Sequence, residues 1–175
     1  QAFGVTPDIM TMAKAITNGV VPLGAVASRE NIYDTVLDAS PTGAVEFFHG
    51  YTYSAIPPSI AAGLAMQDII EKENLIQRSK DMSPYFLDGL FSLKDIGIIT
   101  DIRGYGMLGG IDIRFDERPG KAGYTCFKKL FEAGLSLKAT GDCLIVAPPF
   151  ICEREHIDEI IEKLRTGITN YMKSK

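Results

Sequence analysis

The sequence predicts an α/β chain in two parts, and three observations predict it. Short apolar runs alternate with stretches that keep an apolar face at helical spacing. The second half of this order closes on itself as a small α+β unit. The start does not, because its two apolar strands need further strands and covering helices. The 175 residues are 46% hydrophobic and 23% charged, the proportions of a globular chain with a real core.

Asp8 to Ala13 reads as a short strand, and Thr17-Asn18-Gly19 after it is turn chemistry. Pro22 to Ala27 reads as a second buried strand. Ser28 is placed to cap a helix over Arg29 to Leu37. Residues 40–58 carry Gly, Pro, His and aromatics without a period and read as a long irregular loop. From Ser59 the apolar spacing is helical as far as Leu90, with Pro84 marking a break or a new first turn. Gly97 to Arg103 and Met107 to Ile113 are strand-like around Gly104-Tyr105-Gly106. Tyr124 to Ala133 is amphipathic and stops at Gly134. Leu135 to Lys138 and Cys143 to Val146 flank a hairpin turn at Thr140-Gly141-Asp142. A last helix runs from about Glu153 to Tyr171, with Ile157, Ile160, Ile161, Leu164 and Ile168 on one face.

Eighteen Lys+Arg against 22 Asp+Glu leave a net charge of −4, which argues against a nucleic-acid partner. No apolar run reaches the roughly 18 residues of a membrane span. The opening Gln1-Ala2-Phe3-Gly4 carries no signal core and reads as the middle of a polypeptide. Cys126, Cys143 and Cys152 form no C-x-x-C pair, and with His49 and His156 alone no zinc cluster is expected. Sparse, odd cysteines read as buried free thiols in a reducing, cytoplasmic setting. Arg114, Asp116, Glu117 and Arg118 read as a solvated turn, and His156 as a surface residue opening the last helix.

Lys14 follows the first apolar run and precedes the turn. By itself it reads either as a surface lysine at a strand end or as an amine nucleophile toward an aldehyde. Its surroundings carry a resemblance. Thr6 to Gly19 with Pro22-Leu23-Gly24-Ala25-Val26 resembles the Schiff-base lysine segment of class III aminotransferases, pyridoxal-phosphate enzymes of fold type I. Phe48-His49-Gly50-Tyr51-Thr52-Tyr53-Ser54 resembles a further stretch of that family. Gly104 to Ile111, and Gly141-Asp142 through Ala147-Pro148-Pro149, follow in the family's order. The resemblance covers nearly the whole chain and is closest to the ω-amino acid:pyruvate branch.

The resemblance implies an α/β fragment of such an enzyme, its C-terminal half. Residues 1–58 would end the large cofactor-binding domain, 59–93 would be a connecting helical segment, and 94–175 the small α+β domain. Lys14 would hold pyridoxal 5'-phosphate as a Schiff base and later shuttle a proton. Thr52, with Tyr51 beside it, would reach the cofactor, the threonine meeting the phosphate of the neighbouring subunit in a homodimer with shared active sites. Lys138 stands where that branch often has an arginine for the substrate carboxylate. Ala55-Ile56-Pro57 stands where the family commonly has Gly-His-Pro. Ile145 and Val146 occupy the place of a related branch's arginine. The partners of the pyridine nitrogen, the ring and the phosphate are expected upstream of Gln1. The implied reaction moves an amino group from an ω-amino acid or primary amine to an α-keto acid such as pyruvate. A related aminomutase or decarboxylase, or a non-catalytic piece that only folds or dimerises, is the alternative, and the 175 residues alone are expected to be inactive.

Overall fold

The computed structural model describes residues 3–41, 52–114 and 118–174. His49, Tyr51, Asp116 and Glu117 lie outside the described residues. The chain divides into two units, Gln1–Glu73 and Asn74–Lys175. The stretch predicted to connect two domains, 59–93, contributes one helix to each.

In the first unit β1 (Ile9–Ala13) pairs antiparallel with β2 (Gly24–Ser28), from Ile9↔Ser28 to Ala13↔Gly24. The strands are exposed where the sequence predicts burial: Val26 is 69% exposed and Ile9 56%. Apolar residues on both faces suit a strand covered on both sides, and the described residues of this unit cover neither. Ser28 is not a helix cap. It stays in the ladder opposite Ile9, and Arg29 takes the cap position before α1 (Glu30–Asp38). The Arg29 N–H donates to the Asp8 carbonyl at 3.0 Å, so the ladder continues to the residue where the helix starts.

α2 (Pro57–Lys72) begins two residues before the predicted Ser59. Pro57 and Pro58 fill first-turn positions whose N–H groups have no intrahelical acceptor. The helical stretch breaks at Glu73–Asn74, not at Pro84. Asn74 adopts φ 52°, ψ 38°, a left-handed stop that Asn tolerates. Pro84 lies inside α3 (Leu75–Phe91) on an exposed position, where the backbone carbonyl it leaves without a donor can meet water.

The second unit stacks α3, α4 (Ala122–Glu132) and α5 (Arg154–Lys173) around a sheet of β3 (Ile99–Tyr105), β4 (Leu108–Ile113), β5 (Lys138–Thr140) and β6 (Cys143–Val146). The strand order is β3-β4-β6-β5, every neighbour antiparallel. Phe86, Leu90, Ile111, Leu130, Leu144, Leu164 and Ile168 have no exposed surface and form its core. α3 packs closely on β4, and α4 on α5, through glycine. A Cβ on Gly109 would overlap Leu90, and one on Gly167 would overlap Leu130. β5 starts at Lys138 and not at Leu135, because Leu135 turns inward, 9% exposed, directly after the left-handed Gly134. Glu153 caps α5 through a reciprocal pair in which its own N–H donates to His156 Nδ1 at 3.0 Å.

Candidate active site

The apolar run of β1 ends in an abrupt change of backbone. Ala13 is fully extended at φ −160°, and Lys14 next to it is left-handed at φ 58°. Lys14 opens a 3-10 turn over Lys14–Thr17, closed by Asn18 at φ 52°, whose N–H donates to the Ala15 carbonyl at 3.1 Å. Left-handed backbone at a lysine costs about 1–2 kcal/mol, and such outliers persist only where the surroundings over-determine them. The side chain is exposed. None of the ion pairs among the described residues involves Lys14. An exposed, unpaired primary amine on a fixed turn fits a carbonyl-bearing cofactor held through that amine.

Two polar side chains are buried among the described residues, and both serve this turn. Thr17 is 3% exposed and its Oγ1 donates to the Val21 carbonyl at 2.7 Å. Ser59, on α2, is 7% exposed and its Oγ donates to the Pro22 carbonyl at 2.9 Å. Neither stands out in the sequence, since their acceptors are backbone atoms. Thr52 is exposed at the start of a turn that includes Ala55 at φ 56°. Its hydroxyl is available to donate to an anion such as phosphate. Tyr51 lies outside the described residues.

Lys138 belongs to the second unit. It opens the edge strand β5, exposed, opposite Ile145. Ile145 in turn faces Gly110, and Gly110 faces Arg103, so these four share one face of the sheet. Arg103 is already engaged: its guanidinium donates to Asp101 at 2.6 Å and to Asp112 at 2.8 and 3.1 Å. It also lies 3.5 Å from the Cys143 sulfur. Hydrogen bonding from Arg103 holds the Asp112 carboxyl below its ordinary value. Burial, then Asp112, pushes the Cys143 thiol up; burial pushes Cys126 up to about 12 and raises Cys152. None of the three thiols is therefore an activated nucleophile. On this sheet face Lys138 is a cation outside the ion pairs of the described residues, while Arg103 is neutralised.

The turn between β5 and β6 has a role the sequence does not show. Asp142 accepts the N–H of Gly120 at 2.7 Å and of Ala122 at 3.0 Å, so it satisfies the first donor of α4 from 20 residues away.

Comparison with known proteins decides the family. The aminotransferase class-III family model matches residues 1–168. The chain belongs to the class III aminotransferases. Members of this family depend on pyridoxal phosphate. This class III chain is 43% identical over 164 residues to the β-alanine–pyruvate aminotransferase of Pseudomonas aeruginosa, covering 93% of this chain and 37% of that protein. It is 40% identical over 168 residues to the ω-aminotransferase of Caulobacter vibrioides, covering 94% and 38%. The chain thus spans under two fifths of the length of the curated relatives it matches. Among solved structures, an (S)-enantioselective ω-transaminase from Thermomicrobium roseum aligns with TM-score 0.89 at 30% identity, covering 98% of this chain and 39% of that one. An adenosylmethionine-8-amino-7-oxononanoate aminotransferase from Methanocaldococcus jannaschii aligns with TM-score 0.86 at 31% identity, covering 94% and 39%. The fold is that of a mixed α/β piece of a fold type I transaminase.

Proposed function

We propose that the protein containing this chain moves an amino group from an ω-amino acid or primary amine to an α-keto acid such as pyruvate. The observation that carries the reading is Lys14, an exposed and unpaired amine on left-handed backbone at a strand end, inside a class III chain. Similarity to β-alanine–pyruvate and ω-amino acid–pyruvate aminotransferases supports the substrate class.

Lys14 Nζ would hold the cofactor and, when free, would accept the proton from the substrate carbon and give it back. Pyridoxal phosphate, when bound, supplies the aldehyde that condenses with amines and the ring that takes up the electron pair left by that proton. Thr52 donates its hydroxyl to the phosphate of a second subunit, which makes the working form a homodimer with shared sites; Tyr51 lies next to that contact. Lys138 pairs with the substrate carboxylate. Residues 1–58 form the end of the large domain, 94–175 the small domain, and 59–93 the link between them. Three unpaired cysteines suit a cytoplasmic setting, and no helix among the described residues is long and apolar enough to cross a membrane.

The test is product analysis on the full-length protein with pyridoxal phosphate, an ω-amino acid and pyruvate. One alanine should appear for each amine consumed. Carbon dioxide release, or an amino group relocated within one molecule without pyruvate consumption, would replace this reading by a decarboxylase or an aminomutase.

A further inference from the structure

We infer that Thr17 and Ser59 are positioning residues for Lys14: their hydroxyls take the consecutive carbonyls of Val21 and Pro22 and so hold the lysine's backbone in its left-handed conformation. The inference rests on Lys14 being the cofactor lysine.

Residues 14–23 are an excursion between a paired strand end and a paired strand start, Ala13↔Gly24. Inside it the ladder supplies nothing, and Pro22 has no N–H to give. The carbonyls of the return arm find donors elsewhere. The turn itself is closed by Asn18 N–H to Ala15 at 3.1 Å and by Val20 N–H to Thr17 at 3.2 Å. The return arm is held by side chains: Thr17 Oγ1 on Val21 at 2.7 Å and Ser59 Oγ on Pro22 at 2.9 Å. The second bond joins residues 37 apart and bolts the excursion to α2.

Gly63 lies one helical turn beyond Ser59 and reinforces the bolt. A Cβ there would sit 3.1 Å from Leu23 Cδ2 and 3.8 Å from the Ile16 carbonyl, so α2 approaches both arms of the excursion. The two buried polar residues of the described chain are thus spent on the one segment that carries Lys14. Left-handed Lys14 is unfavourable by itself and persists because its neighbours leave no alternative. With either hydroxyl gone, the return arm loses a tie, the arm shifts, and Lys14 relaxes toward negative φ, which swings its amine away.

The experiment uses the full-length apoenzyme, with pyridoxal phosphate as the probe and borohydride as the trap. The amine and aldehyde condense with loss of water, and hydride from borohydride fixes the product on the lysine. The rate of trapping at the Lys14 peptide is compared for wild type, Thr17→Val, Ser59→Ala, Thr17→Ser and Lys14→Ala, well below each protein's melting temperature. Thr17→Val and Ser59→Ala should each slow trapping about 10- to 100-fold, the scale of a displaced reacting group. Thr17→Ser, which keeps the donor, should trap at close to the wild-type rate. In turnover, kcat should fall with KM little changed. Should Thr17→Val not fold, Ser59→Ala and Thr17→Ser still decide. A lowered melting temperature with wild-type trapping per folded molecule would reduce both residues to structural roles and overturn the inference. Label on a lysine other than Lys14 in the wild type would instead overturn the assignment of Lys14 itself.

Discussion

Replacing Asp142 by Ala should loosen the start of α4 by about 2 kcal/mol. Two backbone donors lose their acceptor, Gly120 at 2.7 Å and Ala122 at 3.0 Å. A hydrogen bond to a charged group contributes about 1.5–3 kcal/mol, and loss of a helix N-terminal cap costs about 0.5–2 kcal/mol. Gly120 is exposed and water replaces its partner at little cost. Ala122 is 3% exposed, and its N–H has poorer access to water. The net therefore falls near the top of the capping range. Gly123 sits so close under the Gly141 carbonyl that a Cβ would overlap it, so α4 and the hairpin turn constrain one another. Hydrogen exchange of the α4 amides reads this local opening directly. About 2 kcal/mol corresponds to roughly 30-fold faster exchange through local opening. Asp142→Asn keeps one acceptor and should give about half the free-energy change. Exchange within threefold of wild type in Asp142→Ala would refute the capping argument.

Other outcomes follow from the same geometry. Lys138→Ala should raise KM for pyruvate more than it lowers kcat, and leave a carboxylate-free aldehyde acceptor unaffected, while Lys138→Arg should raise kcat/KM for pyruvate through a two-pronged contact; equal effects on both acceptors would remove Lys138 from the site. Arg103 lowers the Asp112 pKa below its ordinary 3.8, so the pair's stabilisation is present above that value and lost as pH falls through the lower folded one. Arg103→Met should therefore lower the melting temperature at pH 7, with the gap to wild type narrowing below about pH 4; a gap independent of pH would contradict this. Asn74→Ala should destabilise the joint between α2 and α3 by about 1 kcal/mol, whereas Asn74→Gly should be neutral, as read from hydrogen exchange at the end of α2.

What the sequence discloses follows what kind of group carries the signal. The face of α5 was legible because Ile157, Leu164 and Ile168 repeat at helical spacing, and all three are buried. Gly134 and Gly141 announced their left-handed turns because no other residue adopts them so readily. Ser28 misled because a good cap residue was held instead by the strand ladder opposite Ile9. Pro84 misled because its cost depends on which side of the helix it faces, and that side is exposed. Lys14 stood out through its setting and the resemblance. Thr17, Ser59 and Asp142 did not, since each acts on backbone atoms that every residue has. Ser59 reaches 37 residues and Asp142 up to 22, distances over which only the folded chain brings the partners together.

The most direct test of the account is the identity of the lysine that holds the cofactor. The full-length protein, incubated with pyridoxal phosphate, reduced with borohydride and cut into peptides, should carry its label on Lys14. Lys14→Ala should carry none there and should lose amino transfer to pyruvate by several powers of ten. A wild-type label on another lysine, or undiminished transfer by Lys14→Ala, would contradict the account.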